Sequence, residues 1–194
     1  MNLPNKITLS RILLIPLIIF FYLASFVPYG KIIAICLFVI CAITDFFDGY
    51  IARKYNLTTN LGKFLDPIAD KLLTTTVLIL VVCDGTVPMP YGAISAIIIL
   101  AREFAVSALR QIAATKNYVI AADMFGKVKT NFQFVSFGSL MLLSFLVFNT
   151  EYNGIGMTIF SIFNWVLLGI TVALTIASGI NYIVKNKKVL SDEK

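Results

Sequence analysis

The 194-residue chain contains no histidine, and only 13% of its residues are charged. The absence of imidazole excludes histidine-based acid–base catalysis and leaves aspartate, glutamate or lysine for any proton transfer. A soluble domain carries about 25% charged residues, whereas this chain is 59% hydrophobic. The shortage of charge therefore favours an integral membrane protein.

Cysteine is also scarce. Cys36, Cys41 and Cys83 stand in apolar surroundings without the Cys-x-x-Cys spacing of metal and redox motifs. We expect all three to be packed thiols that form neither disulfides nor metal sites. The 16 lysines and arginines exceed the 10 acidic residues, but they are not clustered with aromatic residues as a nucleic-acid surface requires. Anionic membrane lipids are therefore expected partners, and nucleic acid is not.

Six apolar runs are long enough for transmembrane helices of roughly 20 residues each. Pro67 interrupts the third run and is expected to bend it. The sequence thus predicts an all-α, polytopic membrane protein with six transmembrane helices, forming one domain over residues 1–194. The predicted spans are 7–26, 31–55, 61–83, 91–114, 130–148 and 157–184, with a polar, partly helical connection over 115–129.

The basic residues predict the orientation of these spans. Six crossings place both termini on one side, and nearly all lysines and arginines near the span ends fall on that side. By the positive-inside rule this side is cytoplasmic, so we expect a multi-pass protein of the cell membrane with both termini in the cytoplasm. The residues on this side are Lys6, Arg11, Arg53, Lys54, Lys63, Arg110, Lys116, Lys127, Lys129 and the C-terminal lysines, whereas the opposite loops contain only Lys31.

Four of the ten acidic residues lie between positions 45 and 70, inside otherwise apolar segments. Each carboxylate in a membrane segment costs a few kcal/mol unless it meets a cation or a wet cavity. On helices, Asp45 and Asp48 share one face at i, i+3, and Asp66 and Asp70 share another at i, i+4. Two such pairs, with only Arg53 and nearby lysines beside them, predict oxygen ligands for one or two hard divalent ions. Single aspartates here could instead be helix caps at the water interface.

The same stretch resembles a known family. Its fixed positions match the signature Asp-x2-Asp-Gly-x2-Ala-Arg-x8-Gly-x3-Asp-x3-Asp of the CDP-alcohol phosphotransferases. The matching residues are Asp45, Asp48, Gly49, Ala52, Arg53, Gly62, Asp66 and Asp70. The resemblance implies two divalent ions, Mg²⁺ or Mn²⁺, held by the four aspartates, with Asp70 also deprotonating the acceptor hydroxyl. It further implies that Gly49, Arg53 and Thr59 bind the cytidine nucleotide of CDP-diacylglycerol, although Arg53 could simply be an interfacial arginine.

Two softer motifs resemble one branch of this family. Asn5-x2-Thr8-x2-Arg11 and the phrase at 126–130, followed by Gln133, resemble enzymes that transfer the phosphatidyl group from CDP-diacylglycerol to sn-glycerol 3-phosphate. Such an enzyme would be a transferase of phospholipid biosynthesis, with its active site at the cytoplasmic side. Cations outside the signature would then bind the acceptor phosphate. Alternatively, they only set the orientation of the protein by the positive-inside rule. These candidates are Arg110, Lys127 and Lys129.

Two other interpretations stay open from the sequence. A different acceptor alcohol (inositol phosphate, serine or phosphatidylglycerol) would keep the family chemistry. A divalent-cation or proton-coupled transporter would also place carboxylates inside the membrane. A homodimer is left open as well.

Overall fold

A computed structural model of the chain describes residues 3–54, 60–115, 124–149 and 154–186. These residues form six α-helices and no strand, which confirms the all-α prediction. The fifth helix begins six residues before its predicted span, so Lys127 and Lys129 lie on it. The helices are α1 (Leu3–Leu23), α2 (Gly30–Lys54), α3 (Asn60–Cys83), α4 (Tyr91–Thr115), α5 (Met124–Asn149) and α6 (Ile155–Lys185).

Four of the six helices, α1, α4, α5 and α6, are long and apolar enough to cross a membrane. Large apolar side chains face outward along them, including Leu13 at 66% exposure and Ile159 at 62%. Soluble monomers rarely expose contiguous apolar surface on this scale. The chain is therefore a membrane protein.

The chain divides into two compact units. Unit 1 comprises Met1–Thr86 and Phe137–Gly154, and unit 2 comprises Val87–Ser136 and Ile155–Lys194. Helix α5 contributes its first half to unit 2 and its second half to unit 1.

Helix α1 is central to unit 1, because it packs against both α2 and α3. Its buried residues recur every three or four positions, which is the spacing of one helical face. The first half of this face is polar and the second half is mostly apolar. The buried residues are Asn5, Thr8, Arg11, Ile15, Ile18 and Tyr22.

A tight turn joins α1 to α2. Tyr29 has a φ of 58°, in the left-handed region. A Cβ on Gly30 would collide with the backbone oxygen of Phe21, so only glycine lets α2 begin this close to the end of α1.

The contacts within unit 1 define the helix directions. Thr8 bonds to Asp66 and Tyr22 bonds to Asp84, so α1 and α3 run in the same direction. Arg11 pairs with Asp45, near the end of α2, whereas Lys31 at its start lies over the ring of Tyr22. Helix α2 is therefore antiparallel to α1.

In unit 2, α4 and α6 pack together through small and polar residues of α6. The Tyr91 hydroxyl donates to the Trp165 backbone oxygen at 2.7 Å, and Arg102 donates to Ser178 at 3.1 Å. A Cβ on Gly179 would lie 3.0 Å from Cγ of Arg102. The small face of α6 thus accommodates the large side chains of α4, and the two helices are parallel.

All three cysteines are free, as predicted. Only Cys41 is buried, whereas Cys36 and Cys83 are exposed. The prediction of packed thiols is therefore wrong for Cys36 and Cys83. Both lie on outward helix faces, where apolar neighbours in the sequence indicate contact with lipid and not packing inside the protein.

Candidate active site

Two of the four signature aspartates contact α1. The Thr8 hydroxyl donates to Oδ1 of Asp66 at 2.7 Å. The Arg11 guanidinium is in direct ion-pair contact with Oδ1 of Asp45. Thr8 and Arg11 are each only 1% exposed, while the Asp45 side chain is 38% exposed. The donors are thus embedded in the protein, and the carboxylates lie at its accessible edge.

The local sequence explains this arrangement. Thr8 and Arg11 are three residues apart on the buried face of α1, so they stand one above the other. Asp45 approaches from α2 and Asp66 from α3. A buried guanidinium needs a counter-charge, because an unpaired charge in an apolar interior is very costly. Asp45 supplies that charge.

Asp70 lies one turn beyond Asp66 on α3 and is half-buried. The hydroxyl of Thr74 donates to the backbone oxygen of Asp70 at 2.9 Å. This bond lies inside α3 and uses the main chain of Asp70. Gly62, the second glycine of the signature, is buried at the start of the same helix.

Several predicted site residues lie outside the described side chains. Asp48, Gly49, Ala52 and Arg53 fall within α2, but their side chains are not described, and Thr59 lies outside the described residues. Within the described part of the chain, no three His, Cys, Asp or Glu side chains form a metal-binding group. The four-aspartate metal site thus stays a prediction.

The residues that are described fit a hard divalent ion. Asp45 and Asp66 present carboxylate oxygens, the ligands that Mg²⁺ and Mn²⁺ prefer. Each uses Oδ1 for its α1 contact, which makes Oδ2 the candidate oxygen for an ion. The expectation that only Arg53 and lysines accompany the aspartates is wrong, because Arg11 arrives from another helix.

A second polar cluster in unit 1 surrounds Asp84, beyond the end of α3. Oδ2 of Asp84 accepts bonds from the Tyr22 hydroxyl at 2.5 Å and from the Ser144 hydroxyl. Oδ1 accepts from the backbone N–H of Thr86 at 2.9 Å and from its hydroxyl at 2.5 Å. Lys31 Nζ completes the cluster 3.4 Å from Oδ2, and a cavity of about 460 Å³ lies beside it.

The hydrogen bonds to Asp84 set its protonation. Burial alone would raise the pKa of the Asp84 carboxyl, but the bonds from Ser144, Thr86 and Tyr22 outweigh burial and bring the pKa below its usual value. The sequence indicates only a loop or cap at this position. The bond from the Thr86 N–H is such a local Asx turn, whereas the tertiary partners have no sequence signal.

In unit 2, Glu103 lies between two cations. Lys129 Nζ is in direct ion-pair contact with Oε1 of Glu103, and an Arg102 nitrogen lies 3.4 Å from the same oxygen. Lys129 is only 2% exposed. A buried ammonium of this kind needs its partner, so Glu103 is what allows Lys129 to face the interior.

The other two candidate phosphate ligands are exposed. Arg110 Nε donates to the Tyr182 hydroxyl at 3.2 Å, and the guanidinium lies 5.6 Å from the centre of that ring. Lys127 and Lys129 are two positions apart on α5 and therefore face nearly opposite directions. The structure thus leaves Arg110 and Lys127 at the surface and pairs Lys129 internally.

Comparison with known proteins gives a consistent result. A family model described as CDP-alcohol phosphatidyltransferase matches residues 1–177. A protein of Bacillus subtilis named CDP-diacylglycerol–glycerol-3-phosphate 3-phosphatidyltransferase is 40% identical over 200 residues, covering 97% of each chain. Proteins with the same name from Rickettsia bellii and Haemophilus influenzae are 42% and 37% identical. These two alignments cover 96% and 98% of this chain and 96% of each relative.

Proposed function

Because the chain belongs to the CDP-alcohol phosphatidyltransferase family, we propose that it transfers the phosphatidyl group of CDP-diacylglycerol to sn-glycerol 3-phosphate. The products are phosphatidylglycerophosphate and CMP. The observation that carries this proposal is identity of about 40% to proteins named for this reaction, over nearly the full length of both chains. No transporter name occurs among these relatives, and the acceptor that their names give is glycerol 3-phosphate.

The aspartates of unit 1 are the proposed reaction centre. Asp45, Asp48, Asp66 and Asp70 would hold two divalent ions, Mg²⁺ or Mn²⁺. When bound, the ions would neutralise the diphosphate and polarise the phosphorus under attack. The accessible edge that Asp45 and Asp66 occupy, backed by buried donors of α1, supports this assignment.

The remaining signature residues bind and orient the substrates in this proposal. Gly49, Arg53 and Thr59 hold the CDP moiety, with Arg53 suited to bidentate phosphate bonds. Asp70 takes the proton of the acceptor hydroxyl. The hydroxyl oxygen forms the new bond to phosphorus, and the bond between that phosphorus and CMP breaks. Proximity and orientation supply much of the rate in such a step.

The acceptor phosphate is assigned to Arg110, Lys127 and Lys129. The exposure of Arg110 and Lys127 supports contact with a soluble anion. Lys129 would have to share its ammonium between Glu103 and the phosphate. We therefore assign the stronger acceptor contacts to Arg110 and Lys127.

The proposed setting is the cell membrane, crossed six times, with both termini and the site at the cytoplasmic side. The alternating directions of α1, α2 and α3 in unit 1, and the parallel α4 and α6 in unit 2, support serial crossings. The family model extends over both units, which supports a single functional domain over residues 1–194.

An acceptor screen tests the proposal. Purified protein is given CDP-diacylglycerol with Mg²⁺ or Mn²⁺, and CMP release is measured with glycerol 3-phosphate, serine, inositol phosphate or phosphatidylglycerol. We expect release with glycerol 3-phosphate alone and none after chelation. Preference for another acceptor would reassign the branch. Metal uptake into sealed vesicles without CMP release would favour a transporter.

A further inference from the structure

The polar half of the buried α1 face has a role that burial alone does not explain. A membrane helix that only packs would bury apolar residues at Thr8 and Arg11. Both are instead almost fully buried and polar, and each contacts a carboxylate on a different helix. Those carboxylates belong to the signature stretch.

We propose that Thr8 and Arg11 are positioning residues that orient Asp66 and Asp45 for the divalent ions; this inference rests on the proposed function of the site. Each contact fixes Oδ1 of its carboxylate and so determines the direction in which Oδ2 presents itself. Hydrogen-bond partners of this kind orient metal ligands in proteins generally, and their loss weakens metal binding 10- to 100-fold.

The two residues act by different physics, which helps to separate them. Arg11 contributes a buried positive charge that offsets the mutual repulsion of the aspartates before any ion binds. Thr8 contributes one neutral hydrogen bond and no charge. Removing the Thr8 hydroxyl therefore tests orientation without altering the electrostatic balance of the site.

The experiment measures Mn²⁺ binding directly, without substrate and without turnover. Purified protein in detergent is titrated with Mn²⁺, and the free ion is quantified by electron paramagnetic resonance. Thr8→Val removes the donor and nearly preserves the shape, and we expect the Mn²⁺ dissociation constant to rise roughly 10- to 100-fold. Thr8→Ser retains the donor and should restore wild-type affinity.

Ser10→Ala is the matched control. Ser10 is on the same helix, is exposed, and donates to the backbone oxygen of Ile7 at 2.7 Å. Its loss should leave the Mn²⁺ constant unchanged. A melting curve is recorded for every variant, because a purely structural role of Thr8 would lower the melting temperature and leave Mn²⁺ affinity intact. That result would overturn the positioning role.

Asp66→Asn separates this inference from the function on which it rests. If Asp66→Asn retains full Mn²⁺ affinity, the proposed metal site itself is wrong. If Asp66→Asn loses affinity and Thr8→Val does not, only the positioning role fails. Should Thr8→Val not fold, Arg11→Lys decides, because it keeps the charge and displaces the donor. A raised Mn²⁺ constant then supports positioning, and an unchanged one contradicts it.

Discussion

At the scale of single residues, the two ends of α1 contact carboxylates in different environments. Among the described residues, Asp66 is exposed and accepts a bond from one buried hydroxyl, whereas Asp84 is mostly enclosed and accepts bonds from three hydroxyls, a backbone N–H and a lysine. Full satisfaction is typical of a structural carboxylate. A carboxylate with accessible oxygen is suited to binding a ligand. Within the described part of the chain, the hydrogen bonds thus distinguish Asp66 from Asp84.

The metal site makes the first prediction. Asp66→Asn and Asp48→Asn should each lower CMP release by roughly a thousandfold or more, because metal stabilisation of the transition state is worth several kcal/mol. Both variants should remain folded. Asp84→Asn is the matched control, since it removes a carboxylate of the same unit outside the proposed site. Near-normal turnover of Asp66→Asn in metal-replete buffer would disprove the assignment.

The second prediction concerns the acceptor site. Arg110→Ala and Lys127→Ala should each raise the KM for glycerol 3-phosphate about 10- to 100-fold, because a charge-assisted bond contributes about 1.5–3 kcal/mol. The KM for CDP-diacylglycerol should barely change. Lys129 is a poorer probe, since its removal would take away the closer of the two cations that pair with Glu103.

Steady-state kinetics with each substrate varied in turn measure these effects. Lys185→Ala, an exposed lysine at the end of α6 in the same unit, controls for the loss of one positive charge. If both variants keep their kcat and their KM for glycerol 3-phosphate, an acceptor without a phosphate must be considered.

At the scale of helices, the Asp84 cluster joins α1, α2, the end of α3 and α5 within unit 1. Four segments distant in sequence meet at one carboxylate. Because hydrogen bonds hold the folded pKa of Asp84 below its usual value, the ionised form stabilises the fold. That stabilisation is present above the unfolded pKa of about 3.9 and is lost as the pH falls through the folded pKa.

The third prediction follows from the direction in which stability depends on pH. At pH 7, Asp84→Asn should lower the melting temperature in detergent by roughly 3–10 °C, from the loss of charged hydrogen bonds. The difference from wild type should shrink as the pH falls below about 4. Ser144→Ala should destabilise the wild type more than it destabilises Asp84→Asn, because the two groups are coupled. A pH-independent difference would show that charge at Asp84 is not what stabilises the cluster.

The sequence predicts the helices better than it predicts their contacts. Apolar runs and breakers such as Pro28 and Pro88 locate five helices to within a few residues. The start of α5 is less clear, because Gly126, Lys127 and Lys129 are typical of a polar connection. The partners of the aspartates are not predictable, since Thr8 and Asp66 are 58 positions apart and only tertiary packing brings them together.

At the scale of the whole molecule, the substrate explains the membrane setting. A donor with two acyl chains stays in the bilayer, so the protein must bind its headgroup at the membrane surface. Thr8 and Tyr22 lie about 20 Å apart along α1 at a rise of about 1.5 Å per residue. This separation is about two thirds of the thickness of a hydrocarbon core of about 30 Å, so the two polar clusters would lie toward its opposite edges.

The last prediction concerns which edge is cytoplasmic. Lysines and arginines near the span ends predict that both termini are inside the cell, and Asn186 directly follows α6. Asn186→Cys is introduced into a background in which Cys36, Cys41 and Cys83 are replaced by alanine. In intact cells the new thiol should resist a membrane-impermeant maleimide and should react after the membrane is opened. A cysteine at Tyr29, in the turn between α1 and α2, is the opposite-side control and should react in intact cells.

Labelling of position 186 in intact cells would reverse the topology. It would also place the aspartates on the outer side of the membrane, away from the cytoplasmic metabolism that supplies CDP-diacylglycerol and glycerol 3-phosphate. The predicted orientation and the proposed function would then both be wrong.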